Sequence, residues 1–456
     1  MTDPVLARLK ADEGILPRLV DYARLPSVST DPAYRDGMAA TRAFLKARLT
    51  EIGFNHVGEI EAGGHPAVVA EWCGLPGAPT YLVYGHYDVQ PPDPVSAWHT
   101  PPFEPTVRNG RLYGRGVADD KGPVATAIEV LGAFLALEGA LPVNVRILLE
   151  GEEEIGSATL GALCAAHRDR LIADAVISAD GSRWRADLPT VNVGTRGNMA
   201  LELSLRTAVK DLHSGRYGGA VPNALHVMAA LLASLHDADG RITVPGFLDE
   251  VEVATMEERA AIATLPFDEV SWFDGIEAAP HGEIGYSTLE RLWIRPTLEI
   301  NGMWGGYTGA GGKTVTPAEA FAKLTTRLVP GQTPAHVRDV LTAHLNRMCP
   351  PFARLTLHLD DAGTPAYLVP PDLPLLGAVE DAIEATLGKR PLRVRVGATL
   401  PLSPIFRETL GMETVMFSFA TADEDYHAPN EFFRLSALNE GLAGWVHLMR
   451  RLGRGR

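Results

Sequence analysis

Cysteine is scarce: Cys73, Cys164 and Cys349 are the only three in 456 residues. An odd, widely spaced set without a CxxC pair excludes a disulfide framework, fits a reducing compartment, and is expected as small buried hydrophobes. Long apolar runs are lacking as well. No uninterrupted stretch reaches the ~20 residues that span a bilayer, and Met1-Thr-Asp-Pro-Val-Leu-Ala-Arg-Leu-Lys10 has no apolar signal-peptide core. Membrane insertion is therefore not expected, and the expected location is cytoplasmic. Basic charge is in deficit. Against 56 Asp and Glu stand 41 Lys and Arg, a formal net charge of −15 with no basic arm, so neither nucleic acid nor an anionic membrane is expected as a partner. Internal repeats and low-complexity tracts are absent.

What the chain does have is ordinary globular material: 46% hydrophobic and 21% charged residues over a length that suggests two or three domains. Helical spacing up to about residue 53 is broken by a Pro/Ser loop at Leu25-Pro-Ser-Val-Ser-Thr-Asp-Pro32. Short apolar strands follow, each ending in polar residues. Thr80-Tyr-Leu-Val-Tyr84 runs into Gly85-His-Tyr-Asp-Val89, Val143–Leu149 into Glu150-Gly-Glu-Glu-Glu-Ile-Gly-Ser157, Ala175–Ala179 into Asp180, and Glu413–Ala420 into Thr421-Ala-Asp-Glu-Asp-Tyr-His427. Strands of this kind, separated by helices, describe an α/β sheet covered on both faces, with its functional groups beyond the carboxyl ends of the strands.

Between 197 and 364 the pattern changes. Met199–Arg206, Thr297–Ile300 and Ala353–Leu359 alternate as strands with one solvated face, beside helices expected near 223–236, 317–323 and 334–347. This is an α+β domain inserted into the first, giving expected domains 1–196, 197–364 and 365–456. The stretch 240–295 reads as a helical excursion of the insert, and Gly302–Gly312 as a loop.

Two adjacent carboxylates, Asp119 and Asp120, occupy the turn Gly114-Arg-Gly-Val-Ala-Asp-Asp-Lys-Gly122, before an apolar helical run opened by Pro123. Taken alone, either would be read as a helix cap. His86, Glu154, Asp180 and His427 each have an equally plain reading as turn, helix-start or loop residues. Their recurrence at one end of one sheet argues for convergence. A two-metal hydrolase needs anionic oxygens, neutral imidazoles and one shared carboxylate. His86 and Asp180 suit one ion, Glu154 and His427 the other, with Asp119 between them. Asp88 is placed to accept the second N–H of His86 and fix its tautomer. Glu153, next to a ligand and itself free, suits the general base. Two nucleotide-loop lookalikes fail: Gly114-x-Gly116 has Asp where the third glycine belongs, and Gly312-Lys-Thr314 has Tyr307 where its first glycine belongs.

The blocks Gly85–Val89, Gly114–Gly122, Gly151–Ser157, Asp180 and Tyr426-His-Ala-Pro-Asn-Glu431 resemble the M20 family of di-zinc metallopeptidases. The resemblance implies a zinc-exopeptidase-like catalytic domain with a mainly parallel mixed sheet between helices, and an inserted lid that also dimerises. It further implies two Zn²⁺ per subunit, with Mn²⁺ or Co²⁺ possible, bridged by Asp119 and a water. Asp211-Leu-His-Ser-Gly215 looks like the lid motif whose histidine, here His213, reaches the partner subunit's site to steady an oxyanion. The fit is to the carnosinase-like, cytosolic non-specific dipeptidase branch, which implies that Arg327, Thr314 and Thr399 contact a small peptide substrate. Asp360-Asp-Ala-Gly-Thr-Pro365 departs from that branch, where a histidine is expected. N-acyl-amino-acid deacylation, or a catalytically silent amino-acid-binding dimer, are the competing expectations.

Overall fold

Strand-forming residues with no polar face build the centre of the first unit. The computed structural model describes residues 3–359 and 363–454. Two compact units divide it: Met1–Val193 with Val369–Val394 and Leu402–Arg456, and Gly194–Leu368 with Arg395–Pro401. The expected divisions at 196/197 and 364/365 thus fall at 193/194 and 368/369. Arg395–Pro401, which the sequence left with the catalytic domain, folds with the second unit.

In the first unit, six strands run β1 (Asn55–Ile60), β2 (Ala67–Trp72), β3 (Thr80–His86), β4 (Asn144–Glu150), β5 (Ala175–Ser178) and β6 (Thr414–Met416), in the sheet order β1-β2-β4-β3-β5-β6. The β4-β3, β3-β5 and β5-β6 pairs are parallel and the other two antiparallel, the mainly parallel mixed sheet expected. Leu82, Val83, Tyr84, Ile147, Leu148, Val176 and Ile177 are buried, as strands covered on both faces require. Register decides what happens at the edge. His86 lies opposite Glu150 and Tyr84 opposite Ser178, so β3, β4 and β5 end together. Helices Pro4–Ala11, Ile15–Ala23 and Arg35–Glu51 precede the sheet, either side of the Pro/Ser loop.

Helix Gly122–Glu138 follows β3 and is buried over most of its circumference. Pro123 sits in its first turn, and Gly139 closes it in the left-handed conformation with its N–H on the Leu135 carbonyl. No side chain caps its start, so the capping reading of Asp119 and Asp120 does not hold.

The second unit is built on a four-stranded antiparallel sheet, in the order Thr297–Gly305, Glu319–Leu328, Gly197–Arg206, Arg354–Leu359. Every second residue of Gly197–Arg206 is buried. That face packs on helices Ala224–Ala233 and Pro334–Met348 through Leu201, Leu203, Met228, Leu324, Val337 and Leu341. The helix expected at 317–323 is instead the strand Glu319–Leu328: Ala320, Ala322, Leu324, Thr326 and Leu328 are buried in alternation, a period-two pattern that overrides the helix propensity of Glu, Ala and Lys. The expected loop 302–312 is shorter, because 302–305 finish strand Thr297–Gly305. The excursion 240–295 is helical only in part: three short helices, Met256–Ala263, Glu269–Gly275 and Thr288–Trp293, stand between irregular stretches, with capping boxes at Thr255/Glu258 and Ser287/Glu290 starting the first and last. The expectation of three buried cysteines holds for Cys164 but not for Cys73, which is exposed; Cys349 is half-buried. Among the described residues no helix is long and apolar enough to cross a membrane.

Candidate metal centre

Strand ends set the positions of the candidate ligands. His86 is the last residue of β3, Glu153 and Glu154 stand in the short 3₁₀ turn after β4, and Asp180 lies two residues beyond β5. Gly85 is required at the end of β3, since a Cβ there would stand 2.4 Å from Val124 Cγ2 and 2.7 Å from Asp120 Oδ2. Gly116, at φ +76°, turns the chain into the segment that carries Asp119.

Of the two adjacent carboxylates, Asp120 is turned inward and accepts the His86 backbone N–H at 3.2 Å. Asp119 faces the imidazoles. Its Oδ1 is 3.0 Å from His86 Nε2 and its Oδ2 is 3.0 Å from His427 Nε2, which is also 3.1 Å from Glu154 Oε2. Two groups of potential ligand atoms result, each within 4.8 Å: His86, Asp119 and Asp180, and Asp119, Glu154 and His427. They share Asp119. His427 adopts φ +59°, a strained conformation for a residue with a Cβ and of the kind that gathers at functional sites.

The electrostatics describe a site short of positive charge. Burial, offset by His86 and reinforced by Asp119 and Glu154, pushes Asp180 up to about 7. Burial likewise raises Glu154, and raises Glu153 well above the carboxylate range. Against the cost of burial, hydrogen bonds from His427 and His86 hold Asp119 below its usual value. The bonds to Asp119 and Glu154 push His427 up to about 10. Oxygen and imidazole donors crowded in this way are the chemistry of a divalent cation site.

Asp88 lies beside the second ring nitrogen of His86. The His86 Nδ1 contact at 3.0 Å is to the backbone carbonyl of Asp88, while the carboxylate lies 3.5 Å away. The carboxylate also accepts the backbone N–H groups of Glu153 (3.3 Å) and Glu154 (3.1 Å), orienting the turn that bears both glutamates. Gln90, not anticipated from the sequence, donates to Glu154 Oε2 at 2.9 Å.

The remaining candidates belong to the second unit. Arg327 donates to the Thr399 hydroxyl at 2.8 Å. Arg327 also lines a cavity of about 830 Å³ with Arg196, His236 and Glu299. Arg196 escaped sequence reading, having only a flanking Gly197 to mark it. Burial first, then the neighbouring Arg327, lowers Arg196 to about 10, and its Nε donates to the Gly397 carbonyl at 2.9 Å. His213 and Thr314 are exposed and adjacent: His213 pairs with Val315 across two short strands, and the Thr314 carbonyl accepts the Ser214 N–H. The departure at 360–362 lies outside the described residues.

Comparison with known proteins agrees with this geometry. Beta-Ala-His dipeptidase of Homo sapiens is 33% identical over 384 residues, covering 80% of this chain and 73% of the relative. Cys-Gly metallodipeptidase dug1 of Schizosaccharomyces pombe is 28% identical over 453 residues, covering 95% and 94%. The structure of an M20 family metallo-carboxypeptidase from Sulfolobus solfataricus superposes with a TM-score of 0.83 at 30% identity, covering 97% of this chain and 100% of the other. Residues 82–451 match the family described as peptidase family M20/M25/M40. With a match over most of its length, the chain belongs to peptidase family M20, enzymes that act on peptide bonds.

Proposed function

We propose that the protein is a metal-dependent dipeptidase that hydrolyses the peptide bond of small Xaa-Xaa substrates. The observation that carries this reading is the pair of candidate ligand groups sharing Asp119 beside a half-buried Glu153 that belongs to neither group. His86 and Asp180 would hold one divalent cation, Glu154 and His427 the other, with Asp119 common to both. Zinc is the proposed metal, two ions per subunit, with Mn²⁺ or Co²⁺ as alternatives. Bound there, the ions would polarise the scissile carbonyl and lower the pKa of the attacking water toward neutrality.

The protein's own groups do the rest. Glu153 accepts the proton of the attacking water and delivers it to the leaving nitrogen, a task suited to a carboxyl whose pKa burial has raised. Asp88 keeps Glu153 in place through its backbone N–H. Arg327, held by Thr399, is assigned to the terminal carboxylate of the substrate, which its planar fork fits, and Thr314 to a further polar contact. His213 is assigned to the oxyanion in the site of a second copy. A homodimer through the second unit supports that role: strand Thr297–Gly305 forms a sheet edge and exposes Ile300, Met303 and Trp304. Free cysteines are in keeping with a cytoplasmic location.

The test is a substrate panel assayed with added Zn²⁺, Mn²⁺ or Co²⁺: β-Ala-His, Cys-Gly and other free dipeptides, N-acetyl amino acids, and longer peptides with a free carboxyl end. Chelator-sensitive turnover of the free dipeptides is the expected result. Turnover confined to N-acyl amino acids would replace the reading with a deacylase, preference for the longer peptides with a carboxypeptidase, and absence of both turnover and metal uptake with a silent binding protein.

A further inference from the structure

Glu431 lies outside the candidate ligand set, yet it is fully buried against the turn that carries Asp119. Strand Phe432–Arg434 pairs antiparallel with Arg111–Tyr113, bringing Glu431 to the start of that turn, where its carbonyl accepts the Gly114 N–H at 3.0 Å. Its carboxylate then accepts from the turn along its length. Oε2 takes the Gly116 N–H at 2.7 Å and the Arg115 Nη1 at 2.7 Å; Oε1 takes the Ala118 N–H at 2.9 Å and the Asp119 N–H at 3.2 Å. One carboxylate thus satisfies three backbone donors at the start of the irregular π-turn Val117–Lys121, in which Asp119 itself leaves helical geometry (φ −127°, ψ 91°). The last of the three belongs to the residue whose side chain both ligand groups share.

We propose that Glu431 is the positioning residue of the metal centre: it fixes the backbone of Gly116–Asp119 and so aims the Asp119 carboxylate between the two ion positions. The inference rests on the metal-site reading given under Proposed function. Because Asp119 is common to both groups, loosening the turn weakens both ions together, whereas a loss of bulk stability alone leaves the affinity of the folded molecules intact. Outer-shell groups of this kind are worth roughly 10- to 100-fold in metal affinity.

The experiment titrates metal-free wild type, Glu431→Gln and Glu431→Asp with Zn²⁺ against a chromophoric chelator, well below each melting temperature, with folding checked by circular dichroism. Gln keeps the shape but loses the charge. Asp keeps the charge for Arg115 but falls short of Ala118 and Asp119. Expected are two ions on wild type and a Kd raised roughly 10- to 100-fold for both ions in each folded variant. Wild type that takes up no zinc overturns the metal site itself; two ions on wild type and equal affinity in a folded variant overturn only the role of Glu431. Should neither variant fold, hydrogen exchange on metal-free wild type decides, with protection of the 116, 118 and 119 amides expected and rapid exchange there overturning the proposal.

Discussion

The Arg327 guanidinium and the Thr399 hydroxyl meet at 2.8 Å although 72 residues separate them in sequence, and both belong to the second unit. If this pair receives the substrate carboxylate, Arg327→Met should raise KM for free dipeptides roughly 10- to 100-fold, the equivalent of ~1.5–3 kcal/mol for a hydrogen bond to a charged group. The C-terminal amides of the same dipeptides should be indifferent to the change. Equal losses on acid and amide would remove Arg327 from carboxylate binding. Thr399→Ala should cost less, about 0.5–1.5 kcal/mol, since it removes only a neutral partner.

Glu153→Gln should keep the fold and the metal content while kcat falls by about 10²- to 10⁴-fold, the usual contribution of a positioned base. Metal analysis and steady-state rates on one preparation are sufficient. A variant turning over at the wild-type rate would take the base away from Glu153.

His213→Ala should lower kcat by about 10²- to 10³-fold without emptying the metal site, as expected for a lost oxyanion donor. Mixing it with Glu153→Gln protein under conditions of subunit exchange should restore activity, because a mixed dimer carries one site with both residues intact. No recovery from subunits shown to exchange would place His213 outside the partner's chemistry.

His344 gives a pH dependence unrelated to catalysis. It is buried in helix Pro334–Met348, beside Ser234 Oγ at 2.9 Å and accepting from Arg347 at 3.0 Å. Burial, then Arg347, lowers its pKa. The unfolded chain therefore binds this proton more readily than the folded one, and folding stability from this group is lost as pH falls through the ordinary histidine range. Melting followed from pH 7.5 to 5 should show wild type losing more stability than His344→Gln. Parallel curves for the two proteins would show that His344 carries no such linkage.

Much of the candidate site was legible because its residues are local consequences of strand endings. An apolar run that stops at Gly85-His86, at Glu150-Gly151 or at Ala179-Asp180 marks where a parallel sheet exposes polar groups, whatever its neighbours are. The misread helix at 317–323 shows where this logic weakens: Glu, Ala and Lys favour a helix, and only pairing with Gly197–Arg206 and Thr297–Gly305 makes that segment a strand.

By itself the sequence determined the polarity of the sheet edges, the residue types offered there and the alternation of the second unit, since each follows from periodicity within a few residues. Tertiary structure alone decided that the carboxylate of Asp88 serves two backbone amides, that Arg395–Pro401 joins the second unit, and that Glu431 reaches across some 312 residues to hold the Asp119 amide. Those outcomes depend on packing and hydrogen bonds between segments far apart in the chain, and no local pattern encodes them.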